Sequence, residues 1–133
     1  MPEFTVPRFA AAPLAFSGKL LVSVSGQQTR PGKTNVRWHE IDLYATDSGK
    51  YVVAIRFRCD TRHDDPYDEA EVLTSPEAVV EFLTTFDPVE AVRGWPNQGH
   101  EQQDERLREA LTNSFDRLVS QVLAGRNEFA ERV

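Results

Sequence analysis

Apolar and polar residues alternate over residues 16–24, where Phe16, Gly18, Leu20, Val22 and Val24 fall on one side of an extended chain. A period of two is the mark of a half-buried strand. The polar stretch Gly26 to Asn35, with both Gly and Pro, reads as the loop after it. Two further alternating runs, Val36 to Ala45 and Tyr51 to Cys59, flank Asp47-Ser48-Gly49. A three-residue hairpin loop favours glycine at its left-handed position, and Gly49 fits that place. The turn then pairs Thr46 with Lys50 and sets the register of the whole hairpin. Leu43 faces Val53, Ile41 faces Ile55, His39 faces Phe57 and Ala45 faces Tyr51, which is an apolar side. Tyr44 faces Val52, Asp42 faces Ala54, Glu40 faces Arg56 and Trp38 faces Arg58, which is a mixed side. A slip by one residue would scramble both.

Beyond the hairpin, Glu69 to Leu73 reads as a short edge strand. Ser75-Pro76-Glu77 is a helix start, with Ser75 as N-cap and Pro76 in the first turn. Val79, Phe82, Leu83 and Phe86 follow at helical spacing and form one buried stripe. Asp87-Pro88-Val89-Glu90 repeats the cap signature, and Gly94 and Pro96 end the short helix it opens. The longest helix spans Glu101 to Ala124, with Leu107, Leu111, Phe115, Leu118, Val119 and Val122 on its apolar face and Gly125 after it.

These elements predict an α+β fold: an antiparallel sheet of three to four strands in the N-terminal half, packed against two to three C-terminal helices. The expected core is Leu20, Val22, Ile41, Leu43, Val53, Ile55, Phe57, Phe82, Leu83, Leu111, Phe115 and Leu118. The whole of residues 1–133 reads as one domain, a length that can bury a core without staples. Pro2, Pro7 and Pro13 make residues 1–13 an extended N-terminal arm. Phe4, Val6 and Phe9 would lay that arm along a groove on the body, and the alternative is fraying. Residues 126–133 read as a frayed or short helical tail.

Composition narrows the partners. The formal net charge of −6 argues against non-specific binding to nucleic acid or to an anionic membrane. No apolar run approaches the ~20 residues that span a bilayer. The N-terminal segment lacks a basic region ahead of its apolar residues and does not read as a signal peptide. A single cysteine, Cys59, precludes an internal disulfide, and a reducing, cytoplasmic setting is expected.

Three groups of residues invite a chemical reading. Asp60, Asp64, Asp68 and Glu71 stand at ligand positions of a calcium-loop frame, but Arg62 occupies a ligand position and Asp65 the turn glycine's. Asp60, His63, Asp64 and Asp65 alternatively offer mixed nitrogen and oxygen ligands for a divalent metal, within the acidic 60–68 loop. On this reading the chain is a metal- or small-ligand-binding protein or a small hydrolase. No paired-histidine or paired-cysteine spacing supports it. Cys59 with His63 is a weak nucleophile–base pair, because a thiol at the end of a core-facing strand is held protonated. His39, on the apolar side, is expected to be a packed histidine with one backbone hydrogen bond. No phosphate-loop, dinucleotide or nucleophile-elbow motif is present, and no catalytic residue or required cofactor is assigned.

The third group is the mixed side of the 36–59 hairpin. Trp38, Glu40, Tyr44, Arg56 and Arg58 are residue types suited to a protein contact, with Trp38 beside Arg58 and Glu40 beside Arg56 as cross-strand pairs. The competing reading covers this side with the N-terminal arm or a helix and makes Trp38 part of a second small core. Arg30, Lys33 and Arg37 would extend the group toward single-stranded nucleic acid, against Glu40, Asp42 and the net charge. The leading expectation is a non-enzymatic module that binds a protein partner or a second copy of itself.

Overall fold

The computed structural model describes residues 2–28, 37–59, 66–89 and 101–131, without the side chains of 101–104. Among these, five strands form an antiparallel sheet in sequence order: β1 (Glu3–Arg8), β2 (Ala11–Ser25), β3 (Arg37–Thr46), β4 (Tyr51–Cys59) and β5 (Tyr67–Leu73). Helices α1 (Pro76–Thr85) and α2 (Glu101–Ala124) follow, then a single 3-10 turn over Asn127–Phe129. The α+β class and the antiparallel order stand. The strand count is five where three to four were expected, because the N-terminal arm is itself a strand.

The β3–β4 hairpin has the register its turn dictates, from Ala45↔Tyr51 through Leu43↔Val53 and Ile41↔Ile55 to Trp38↔Arg58. Gly49 has φ +83°. The Thr46 N–H donates to the Lys50 carbonyl at 2.8 Å, and the Lys50 N–H returns a bond to Thr46 Oγ1 at 2.9 Å. Local chemistry of the turn thus fixes the register at the centre of the sheet.

The apolar side of that hairpin packs under the helices. Ile41, Leu43, Val53, Ile55 and Phe57 meet Val79 and Leu83 of α1 and Leu111, Phe115, Leu118, Val119 and Val122 of α2. The α1 start is capped as its sequence requires, with Ser75 Oγ accepting from the Ala78 N–H at 3.1 Å. Asp87 Oδ1 accepts from the Val89 N–H at 2.9 Å. The helix expected after that cap lies outside the described residues. Of the two readings of the tail, the short helical one holds for Asn127–Phe129, a 3-10 turn held to β4: Tyr51 Oη donates to Glu128 Oε2 at 2.8 Å, and Phe129 lies against the Tyr51 ring.

The expected N-terminal arm is corrected most. Residues 3–8 pair with the first half of β2, Phe4 opposite Phe16 and Val6 opposite Leu14, around a two-residue turn at Phe9 and Ala10. Pro7 falls where this pairing is irregular, and Pro13 takes none of its rungs. A proline without an N–H is tolerated at such positions, so neither breaks the hairpin. This β1–β2 hairpin folds back over the mixed side of β3 and β4. There Val6, Tyr44, Val52, Ala54 and Ala70 form a second core, with Phe4, Leu14 and Phe16 packed on it. Its tip reaches β5, where the Phe9 N–H donates to the Asp68 carbonyl at 2.7 Å.

Strand β2 therefore serves two layers and changes partner at Gly18. A Cβ there would stand 2.0 Å from the Ala45 carbonyl oxygen, so only glycine lets the backbones approach this closely. Further along, Leu20 pairs with Tyr44 but Val22 with Leu43, leaving Leu21 as a bulge. One extra residue reverses the alternation. Leu21, Val22 and Val24 pack into the helix-side core, whereas Phe16 packs into the hairpin-side core. The single face expected for residues 16–24 is thus two faces, and Leu20, expected in the core, is 46% exposed.

Candidate functional site

The mixed side of β3 and β4 carries a charged row next to the second core. Arg56 lies between two carboxylates of β3: its Nε donates to Glu40 Oε1 at 3.0 Å and its Nη1 to Asp42 Oδ2 at 2.6 Å. Serines of β2 complete the row, Ser23 Oγ donating to Asp42 Oδ1 at 2.6 Å and Ser25 Oγ to Glu40 Oε2 at 3.1 Å. Trp38 Nε1 also donates to Glu40 Oε2, at 3.3 Å. Alternation along three neighbouring strands puts all of these on one side, as the register requires.

On β4, Arg58 turns toward β5. Its Nη2 donates to Asp68 Oδ1 at 2.8 Å, and its Nη1 to the carbonyls of Phe57 and Tyr67 at 3.1 and 3.3 Å. The guanidinium is held by three acceptors, yet the side chain is 33% exposed, and that of Asp68 28%. Phe9, bound through its backbone to the same Asp68, is 47% exposed. The end of the charged row thus presents a fixed arginine, its carboxylate and an aromatic ring at the tip of the folded-back hairpin.

Ionisation follows this geometry. Burial works against charge on Arg56, but the Asp42 and Glu40 hydrogen bonds outweigh it and hold the guanidinium above its ordinary value. Burial likewise works against the Glu40 carboxylate, and the bonds from Arg56, Trp38 and Ser25 bring it below its usual range. Burial and the neighbouring Asp42 charge raise Tyr44. The row is a compensated network of charged hydrogen bonds, poised as an ion-paired surface rather than as a proton donor.

The five expected contact residues therefore divide. Glu40, Arg56 and Arg58 line the half-exposed row. Trp38 and Tyr44 are only 7% exposed, and Tyr44 packs against Phe4 and Phe16 in the second core. An open face across the whole hairpin is narrowed: Phe4, Val6, Leu14 and Phe16 of β1 and β2 pack with Tyr44 in the second core, the covering that was the competing expectation, and Trp38 is buried at the charged end beside Glu40. Asp42, Asp68 and Phe9 join this site although the sequence did not assign them to the contact group. Asp42 was visible on the mixed side, but Phe9 and Asp68 are joined only by the folded-back hairpin.

Of the expected metal group, Asp60, His63, Asp64 and Asp65 lie outside the described residues. Asp68, which the calcium-loop frame needs, is paired with Arg58, and Glu71 lies in β5. Among the described residues no three His, Cys, Asp or Glu side chains come together as a metal site. Cys59 is half-buried and packs against the helix-side core.

His39 is the one buried imidazole described. Its Nε2 lies 3.2 Å from the Pro88 carbonyl and 3.0 Å from Tyr67 Oη, which ties β3 to β5 and to the segment after α1. Burial pulls its pKa down to about 4, with the Pro88 bond acting weakly the other way. Nδ1 has no partner among the described residues. The expected packed histidine with a backbone bond is present.

No helix among the described residues is long and apolar enough to cross a membrane. No family model matches this chain, and neither a curated protein nor a solved structure matches it.

Proposed function

We propose that this chain is a non-enzymatic, intracellular protein-interaction module. Its contact surface is the charged end of the mixed side, Glu40, Arg56, Arg58 and Asp68, with Phe9 at the hairpin tip. The observation that supports this reading is Arg58: three acceptors hold it in one geometry while a third of its side chain faces solvent. A guanidinium already ordered loses little conformational entropy on binding, and an adjacent exposed aromatic supplies apolar area. Arginine and aromatic side chains are the types that dominate interface energetics.

The partner is another protein or a second copy of this chain, and nucleic acid is disfavoured because carboxylates interleave with the arginines. The test compares tagged wild type with Phe9→Ser and Arg58→Ala in affinity capture, with sedimentation over a concentration series to detect self-association. The reading expects a partner or dimer held by wild type and weakened at least tenfold by each variant, with thermal stability nearly retained. Binding indifferent to both variants would sink it.

A further inference from the structure

Where the β1–β2 hairpin folds over the sheet, the two layers do not close completely. A wedge of about 360 Å³ remains, with Leu14 and Phe16 of β2 on one side and Val52 and Val72 of β4 and β5 on the other. Its size lies within the range of small-molecule sites. Val72 is 40% exposed at this wedge, an apolar side chain of an otherwise sandwiched sheet that is left open to solvent.

The rim is the β3–β4 turn, which includes Asp47 and Lys50. This turn is rigid. Besides the two bonds joining Thr46 and Lys50, the Gly49 N–H donates to the Thr46 carbonyl at 3.1 Å and the Asp47 N–H to the Ser17 carbonyl at 2.8 Å. Thr46 Oγ1 and Ser48 Oγ bond each other at 2.9 Å. Among the described residues neither the Asp47 carboxylate nor the Lys50 ammonium has an ion-pair partner. An apolar wedge therefore opens beside a turn that carries one anion and one cation, neither of them ion-paired among the described residues.

We propose that the wedge between the folded-back hairpin and the sheet binds a small apolar zwitterion of the α-amino acid class. The hydrocarbon side chain lies among Leu14, Phe16, Val52 and Val72, the carboxylate meets Lys50 and the ammonium meets Asp47. A plain carboxylate gains Lys50 but is repelled by Asp47, and a plain amine has the converse conflict. Only a molecule with both charges satisfies the rim, so its two ends are the source of selectivity. This site is separate from the charged row proposed to bind a protein.

The test is calorimetry and amide chemical-shift mapping of the full chain with three matched probes: L-leucine, 4-methylpentanoate, which lacks the ammonium, and 3-methylbutylamine, which lacks the carboxylate. The expected result is that leucine binds at least tenfold more tightly than either analogue and shifts the amides of Ser48, Gly49 and Val72. Lys50→Met and Asp47→Asn, both surface changes, each remove that advantage while the thermal midpoint stays put. Equal binding of 4-methylpentanoate and leucine, or no saturable shift with any probe at millimolar concentration, overturns the proposal.

Discussion

Two glycines show how differently a single residue can matter. At Gly49 nothing lies within 4 Å of an added Cβ, and φ is +83°, so an alanine there meets only backbone strain. Gly49→Ala should cost about 1 kcal/mol. At Gly18 the space is absent: the Ala45 carbonyl lies 2.0 Å from the added atom, and it belongs to backbone, which yields only if the strands part. Gly18→Ala should cost roughly 3 kcal/mol or prevent folding. Urea unfolding of the two variants side by side measures both, and equal losses would contradict the close approach at the corner. His39 makes a separate case. Its folded pKa of about 4 lies below the ordinary value of 6.5, so the folded state favours the neutral ring. Its contribution is whole above pH 6.5 and is lost as pH falls toward 4, because the unfolded chain takes the proton first. The full difference amounts to about 3 kcal/mol. An NMR titration of the His39 ring should show no midpoint above pH 5. A midpoint near 6.5 would mean that the imidazole reaches water.

Among the elements, the β3–β4 hairpin and the two helices follow from local pattern, whereas the β1–β2 hairpin does not. The difference lies in what holds each together. Thr46, Gly49 and Lys50 define the central turn through neighbours in sequence. The outer hairpin turns at Phe9-Ala10, where Ala10 takes φ 55° although it has a side chain. Nothing in that dipeptide announces a turn. The hairpin is stabilised by what it covers, Tyr44, Val52, Ala54 and Ala70, which lie tens of residues away in sequence. This makes it part of the global structure rather than an attached flap. Val6 is 5% exposed in the second core, and Val6→Ala should lower global stability by about 2 kcal/mol. That loss should appear in one transition, seen alike by tryptophan fluorescence and far-ultraviolet dichroism. An early separate phase with an unchanged main midpoint would instead mark a hairpin that opens by itself.

Taken whole, the molecule has three layers: helices, sheet and folded-back hairpin. Both sides of β3 and β4 are consequently covered over much of their length, which explains why the mixed side holds Tyr44, Val52 and Ala54 beside its charges. Its apolar members lie under the hairpin or are otherwise buried, and its charged members continue past the hairpin tip, where Arg56 and Arg58 find carboxylates on β3 and β5. The site proposed for a protein partner and the wedge proposed for a zwitterion both arise at the margins of that covering layer. Glu40, Arg56 and Arg58 of the first were legible from the hairpin register, but Phe9 and Asp68 and the whole of the wedge were not, since they join the β1–β2 hairpin to residues of β4 and β5.

Periodicity, turn chemistry and capping were enough to settle the α+β class, the register of the central hairpin, the start of α1, the extent of α2 and most of the helix-side core. Each rests on interactions between residues a few positions apart, or on a period that a single strand or helix displays by itself. Tertiary structure decided the fifth strand, the change of face at Leu21, the burial of Trp38 and Tyr44, and the exposure of Leu20 and Phe9. A bulge and a close backbone approach depend on the partner strand. The mixed side of a sheet is polar enough to face water and apolar enough to be covered, so only the chain that comes to lie on it determines which.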